Sequence, residues 1–163
     1  MPTPLATAAV RFGDNATTVV YWVPTIAATN LTPTRAELNA GLNIGVDLVD
    51  LDGWSIEADQ IDTQALNDAF QTKIPGSLSA PDSSLTFFVS KNGVDIRSTL
   101  PRGTTGNVCF LDGGDIAGNK METYPVTVTS NAVMRSLQSK DASKVKVGFA
   151  ITKTPGQNLT VPA

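Results

Sequence analysis

The chain contains no histidine and a single cysteine, Cys109. A Ser-His or Cys-His nucleophile pair therefore cannot be assembled within it. A zinc site of Cys and His ligands is excluded on the same grounds. With one thiol no internal disulfide forms, so stability must come from packing or from partners. Cations are also scarce: 12 Lys and Arg face 15 Asp and Glu, for a formal net charge of −3 and a pI near 4.8. Gripping nucleic acid needs clustered cations that displace counterions from phosphates, and this balance offers no surplus. No run approaches the roughly 18 consecutive apolar residues of a membrane helix. The opening Met1-Pro2-Thr3-Pro4-Leu5 lacks a basic region followed by an apolar run, so no secretory signal is expected. The Asn-x-Thr triplets at Asn15, Asn30 and Asn158 are accordingly read as chance rather than glycosylation sites.

What is present points to a β protein. At 163 residues with 41% hydrophobic content, the chain suits one domain with its own core, residues 1–163. Thr, Ser, Ala, Val and Gly are abundant, a composition that favours strands. Gly13-Asp14-Asn15 supplies turn chemistry between a strand from Leu5 and the apolar run Val19 to Val23. Thr34 is a candidate helix cap, with Glu37 three residues on as in a capping box and Gly41 as the stop. Residues 46–61 read as two strands bent at Asp52-Gly53. In the second, Trp54, Ile56 and Ala58 alternate with Ser55, Glu57 and Asp59, the period of a half-buried strand.

Between 62 and 84 the pattern dissolves into polar residues, Pro and Gly, with Leu66, Phe70 and Ile74 standing out at spacings of four. A loop of that length is uncommon unless it has a job, and its apolar residues suggest a surface that something covers. Further strands are expected at 85–90, 107–111, 121–129 and 144–151, with a short helix at 94–100. In the strand at 144–151, Val145, Val147, Phe149 and Ile151 face inward while Lys144 and Lys146 face out. Pro125 hints at an edge or a bulge. The polar segment 155–163 is expected to fray or to touch a neighbour. Seven or eight strands and two short helices give a mainly β fold of two packed antiparallel sheets, a β-sandwich or small barrel, with a flanking helix and a long inter-strand loop.

The chemical motifs have plainer readings. Asp50-x-Asp52-Gly53 looks like a fragment of a calcium loop, but Leu48 would occupy the opening ligand position, so it reads as an acidic turn. Asp112 and Asp115, in Asp-Gly-Gly-Asp, are what a tight turn demands rather than an acid–base pair. Arg102-Gly103-Thr104-Thr105-Gly106 leads into a strand and lacks the ending of a phosphate loop. Cys109 lies in an apolar strand, the setting of an inert thiol. No catalytic residue, cofactor site or metal site is expected.

An ordered series of segments then acquires a meaning of its own. Pro33-Thr34-Arg35-Ala36-Glu37-Leu38-Asn39-Ala40-Gly41, Gly53-Trp54-Ser55, Ile61-Asp62-Thr63 and Lys73-Ile74-Pro75-Gly76 come first. Asp82-Ser83-Ser84-Leu85-Thr86-Phe87, Asp95-Ile96-Arg97 and Leu100-Pro101-Arg102-Gly103-Thr104 are next in order. Leu111-Asp112-Gly113-Gly114-Asp115, Lys120-Met121, Tyr124-Pro125-Val126-Thr127-Val128 and Phe149-Ala150-Ile151-Thr152 complete the series. Across about residues 20–155 this series resembles the tail tube (major tail) proteins of siphophages infecting actinobacteria. Residues 41–46 and 130–143 are more individual and are expected to be outward-facing loops.

The resemblance implies a structural virion protein, made in the host cytoplasm, and not an enzyme. Six copies would form a ring, and rings would stack into the hollow tail tube through which DNA is ejected. It also implies that the 62–84 loop reaches an adjacent ring, making Leu66, Phe70 and Ile74 ring-to-ring contact residues. Implied partners are further copies of the chain, a tape measure protein, a tail terminator and tail-tip proteins. DNA would pass without specific binding, and no membrane insertion is expected. Six copies at −3 each give −18 per ring, and carboxylates lining a lumen repel phosphates over the ~8 Å screening length of physiological salt. Glu57 and Asp59 are the lumen-facing candidates. Two other readings compete: a tail terminator or head–tail joining protein, which should stop at one ring, and a carbohydrate- or surface-binding β-sandwich module, which should expose loop aromatics.

Overall fold

The computed structural model describes residues 11–67, 69–93, 95–135 and 141–163. The strand expected from Leu5 and the helix start expected at Val94 lie outside these residues. The described elements are β1 (Val19–Val23), α1 (Arg35–Ala40), β2 (Leu42–Asn43), a 3-10 turn (Gly45–Asp47), β3 (Leu48–Asp52), β4 (Glu57–Asp62) and β5 (Lys73–Ser79). They continue with β6 (Ser83–Phe88), α2 (Ile96–Thr99), β7 (Thr105–Leu111), β8 (Lys120–Met134), β9 (Lys144–Ile151) and β10 (Gly156–Thr160). The fold is mainly β, in two antiparallel sheets, one of eight strands and one formed by β4 and β5. Among the described residues there are ten strands, more than the expected seven or eight, because β2, β5 and β10 arise in segments too polar or too short to show an apolar period.

The chain packs as two compact units. The first comprises the described residues up to Gly45 together with Asn107–Tyr124 and Pro155–Ala163. Here β1 pairs with β2 and β7, and β10 pairs with the opening of β8. Val23, Leu38, Cys109, Leu111, Met121 and Val161 form its core. Helix α1 is only six residues long and would not persist alone. It is held by a complete capping box, in which the Thr34 hydroxyl accepts from the Glu37 N–H while the Glu37 carboxylate accepts from the Thr34 N–H. The bonds its carboxylate accepts from the Thr34 N–H, the Ala27 N–H and the Thr34 hydroxyl hold the Glu37 carboxyl below its usual range. Leu38 then docks the helix in the core.

The segment expected to fray does not. Gly156–Thr160 is a strand and Val161 is buried. Arg35 clasps the residue after Val161: one guanidinium nitrogen donates to the Pro162 carbonyl at 2.7 Å, and the other to Asp115 at 2.7 Å. Asp115 also accepts from the Tyr21 hydroxyl, so the Asp-Gly-Gly-Asp turn, with positive φ at Gly113 and Gly114, serves as a structural anchor.

Cys109 behaves as its sequence setting suggests. It is fully buried, and burial pushes its thiol up to about 12, with a weak opposing effect from the Thr123 hydroxyl. An aromatic disulfide reagent should therefore leave the native protein unlabelled and react fully only on unfolding. Labelling of the native protein at the rate of a free thiol would contradict this packing.

The second unit comprises Val46–Gly106 and Pro125–Thr154. β9 pairs with the later part of β8 and with β6, and β6 pairs with β3. Val145, Val147 and Phe149 are buried and Lys146 is exposed, as the alternation requires, while Lys144 and Ile151 at the strand's ends are half-buried. Leu85 lies opposite Val147 and Phe87 opposite Val145, which sets the register of the buried face. Pro125 is neither at an edge nor in the bulge. It sits mid-strand where β8 exchanges its β10 partner for β9, a point at which no ladder N–H is required. The irregularity falls later, between Val128 and Ser130. β8 continues through Met134, so the first part of 130–143 is strand rather than loop.

Candidate assembly site

The alternation through Trp54, Ile56 and Ala58 does not mark a half-buried strand. β4 begins at Glu57 and all six of its residues are exposed. It pairs with β5, and six of the seven residues of β5 are exposed as well. The 62–84 segment is thus chiefly the far side of a β-hairpin arm and its return into β6. Beyond the paired strands, Thr63 and Thr72 hold the arm together through backbone and hydroxyl hydrogen bonds. Lys73 and Asp62 add an exposed ion pair at 3.5 Å.

The base of the arm is fastened tightly. Gly53 adopts a φ of +76°, and a Cβ there would collide with the carbonyl of Asp82. The hydroxyl of Ser83 donates to the Gly53 carbonyl at 2.7 Å, and the Trp54 indole N–H donates to the Ser84 carbonyl at 3.0 Å. The Trp54 ring packs on Phe149 with centroids 5.5 Å apart. These contacts join the two ends of the arm. Gly53 therefore marks a tight turn, and Asp50 and Asp52 are strand residues of β3 paired opposite Thr86 and Ser84.

The register sorts the arm into two faces. Residues directly opposite in an antiparallel pair share a side, and side chains alternate along each strand. Ile61 lies opposite Ile74 and Glu57 opposite Ser79, which puts Glu57, Asp59, Ile61 and Ile74 on one face. Ala58 opposite Leu78 and Gln60 opposite Pro75 make the other. A bulge between these pairs lets both assignments hold, and the extra residue is accommodated at Gly76, where a Cβ would sit 3.0 Å from the Asp59 carbonyl.

Nothing in the described chain covers the arm's apolar side chains. Leu66 is 102% exposed, Phe70 77% and Leu78 65%, and Ile61 and Ile74 are half exposed. A two-stranded hairpin is marginal by itself, and clustered apolar exposure of this kind marks an interaction surface. The structure places all three expected contact residues, Leu66, Phe70 and Ile74, on this arm. It places Glu57 and Asp59 there too, on the face of Ile74. Sequence reasoning misses Ile61 and Leu78, because each reads as an ordinary strand residue until its pairing is known. Among the described residues no group of three or more His, Cys, Asp or Glu could hold a metal ion. Nor is any described helix long and apolar enough to cross a membrane.

An exposed hairpin with an uncovered apolar tip marks an interaction surface, and comparison with known proteins names the family. The profile of the phage tail tube protein family matches residues 6–163. The chain belongs to that family.

Solved structures agree at the level of the fold. A sheath/tube terminator of an extracellular contractile injection system, PVC, superposes with a TM-score of 0.63 at 11% identity, covering 90% of this chain and 96% of that one. The tube-terminating cap of the anti-feeding prophage gives 0.60 at 13% identity, covering 93% and 96%. The tail of an empty gene transfer agent particle, refined with C6 symmetry, gives 0.52 at 11% identity, covering 91% and 98%. No curated protein matches the sequence. As a member of the tail tube family, the chain is a structural protein of phage tails.

Proposed function

We propose that this chain is the tube-forming subunit of a siphophage tail, acting as one tail tube domain in hexameric rings that stack into a hollow conduit for DNA. The family match over residues 6–163 supports the tube role, and the sequence resemblance supports a phage of actinobacteria. The observation that carries the reading is the free-standing β4–β5 arm, with Leu66, Phe70 and Ile74 uncovered. A heterologous contact that closes makes a ring, and one that does not close makes a stack. The arm is the stacking contact, seated on the adjacent ring. The subunit's net negative charge, −3 by formal count, helps keep DNA from adhering as it passes. A tape measure protein sets the tube's length, and terminator and tail-tip proteins close its ends.

Sedimentation velocity on the purified protein tests this reading. Species in multiples of six that grow with concentration are the expected result. A single ring that never grows would instead make the protein a terminator or joining subunit. A monomer at every concentration, even with a tail-tip initiator present, would overturn the assembly reading and favour a surface-binding module.

A further inference from the structure

The charges of the second unit are segregated. Residues 47–82 carry eight carboxylates against the single cation Lys73, whereas residues 125–154 carry five cations against the single carboxylate Asp141. The structure gives each charge type a surface. On the arm, Glu57 and Asp59 line up with Ile61 and Ile74 on one face. On the four-stranded body of the same unit, Lys144 lies opposite Met134 on one side and Phe88 on the other, and Lys146 lies opposite Ala132 and Thr86. Met134 and Phe88 are exposed although they flank a buried row on the reverse of the sheet. Among the described residues, none of Glu57, Asp59, Lys144 and Lys146 belongs to an ion pair.

The two surfaces match in kind and in spacing. One presents two carboxylates beside two isoleucines, and the other presents two ammonium groups beside a methionine and a phenylalanine. Both charge rows repeat every second strand residue, about 7 Å. An apolar, acidic surface and an apolar, basic surface on the same chain suit a head-to-tail contact between identical copies.

We infer that the Glu57–Asp59–Ile61–Ile74 face of the arm docks on the Phe88–Met134–Lys144–Lys146 face of a second copy of this chain. The inference rests on the self-assembly reading above and names the surface that receives the arm. The charges set direction and register and speed encounter, while the apolar pairs hold the contact.

Charge reversal by halves tests it. Two variants are made, K144E/K146E at a half-buried and an exposed position and E57K/D59K at two exposed ones, with circular dichroism confirming the wild-type fold. Each alone should need more than about tenfold higher concentration to assemble, because like charges then face one another. An equimolar mixture should assemble again, since every acidic surface finds a basic one in an alternating order. Wild-type assembly should also weaken between about 50 mM and 1 M NaCl, as the screening length falls to about 3 Å. Either variant assembling alone as the wild type does, or two folded variants failing to co-assemble, would overturn the inference. A wild-type protein that never assembles would overturn the self-assembly reading itself, and this inference with it.

Discussion

Replacing Leu66 and Phe70 together with aspartate should abolish growth beyond a single ring while leaving the subunit's melting temperature nearly unchanged. Both side chains lie in the tip between β4 and β5, with 102% and 77% of their surface open to solvent. Neither contributes to either core, so removing them costs the monomer little, within about 0.5 kcal/mol for surface positions of this kind. In the assembled state their contribution is of another order. Fully burying a leucine or phenylalanine side chain is worth roughly 1.5–3 kcal/mol. Losing two such contacts, and then desolvating a carboxylate in place of each, weakens every stacking contact by at least about 3 kcal/mol. That is more than a hundredfold in affinity, and a tube needs the contact at every subunit. Sedimentation with parallel thermal melts checks both halves. A variant that melts normally and still builds tubes would remove the arm tip from the interface. A variant that loses its fold would show that the tip is covered within its own chain.

Gly53→Ala should have the largest effect on the subunit itself. The backbone there has a φ of +76°, a region that residues with a Cβ seldom adopt. An added methyl also lands on the carbonyl of Asp82 and within 3.0 Å of the Ser83 Cα, and both are backbone atoms that cannot swing aside. Left-handed strain and overpacking each cost about 1–3 kcal/mol, so a combined loss of about 3 kcal/mol is expected. For a chain of this size that lowers the melting temperature by on the order of 10 °C. Relief by backbone movement would splay the joined ends of the arm, breaking the Ser83–Gly53 and Trp54–Ser84 hydrogen bonds. Assembly should therefore suffer even well below the melting temperature. Calorimetry and assembly assays on one preparation separate the two effects. A fully stable, fully assembling Gly53→Ala protein would show that the arm's base is not rigidly set.

The features legible from sequence are those in which local chemistry or one-sided burial leaves a trace. The capping box of α1 is visible because Thr34 and Glu37 must be three apart to satisfy each other's backbone. β9 is visible because one face is buried and the other wet, which imposes the alternation of Val145, Val147 and Phe149 with the lysines. The far half of the arm, β5 and the tip before it, leaves no such trace. Both of its faces are exposed in the single chain, so nothing selects a period of two, and Pro75 and Gly76 in β5 read as loop residues. Its apolar side chains nevertheless stand out, since Leu66, Phe70 and Ile74 are conspicuous in a polar stretch whatever its backbone does. β10 is hidden for a related reason. It is a short polar strand whose place is fixed by pairing with β8, by the buried Val161 and by the distant Arg35, none of which is local in sequence. Alternation marks Lys144 and Lys146 only as solvent-facing, and it takes the pairing with Phe88 and Met134 to show that they belong to an apolar, basic surface.

Negative-stain electron microscopy of the purified protein, before and after mild concentration, tests the assembly account most directly. Long hollow tubes with a regular axial repeat and six-fold end views are the predicted result, absent in the Leu66→Asp/Phe70→Asp variant. Dispersed monomers under every condition, with a tail-tip initiator supplied, would contradict it.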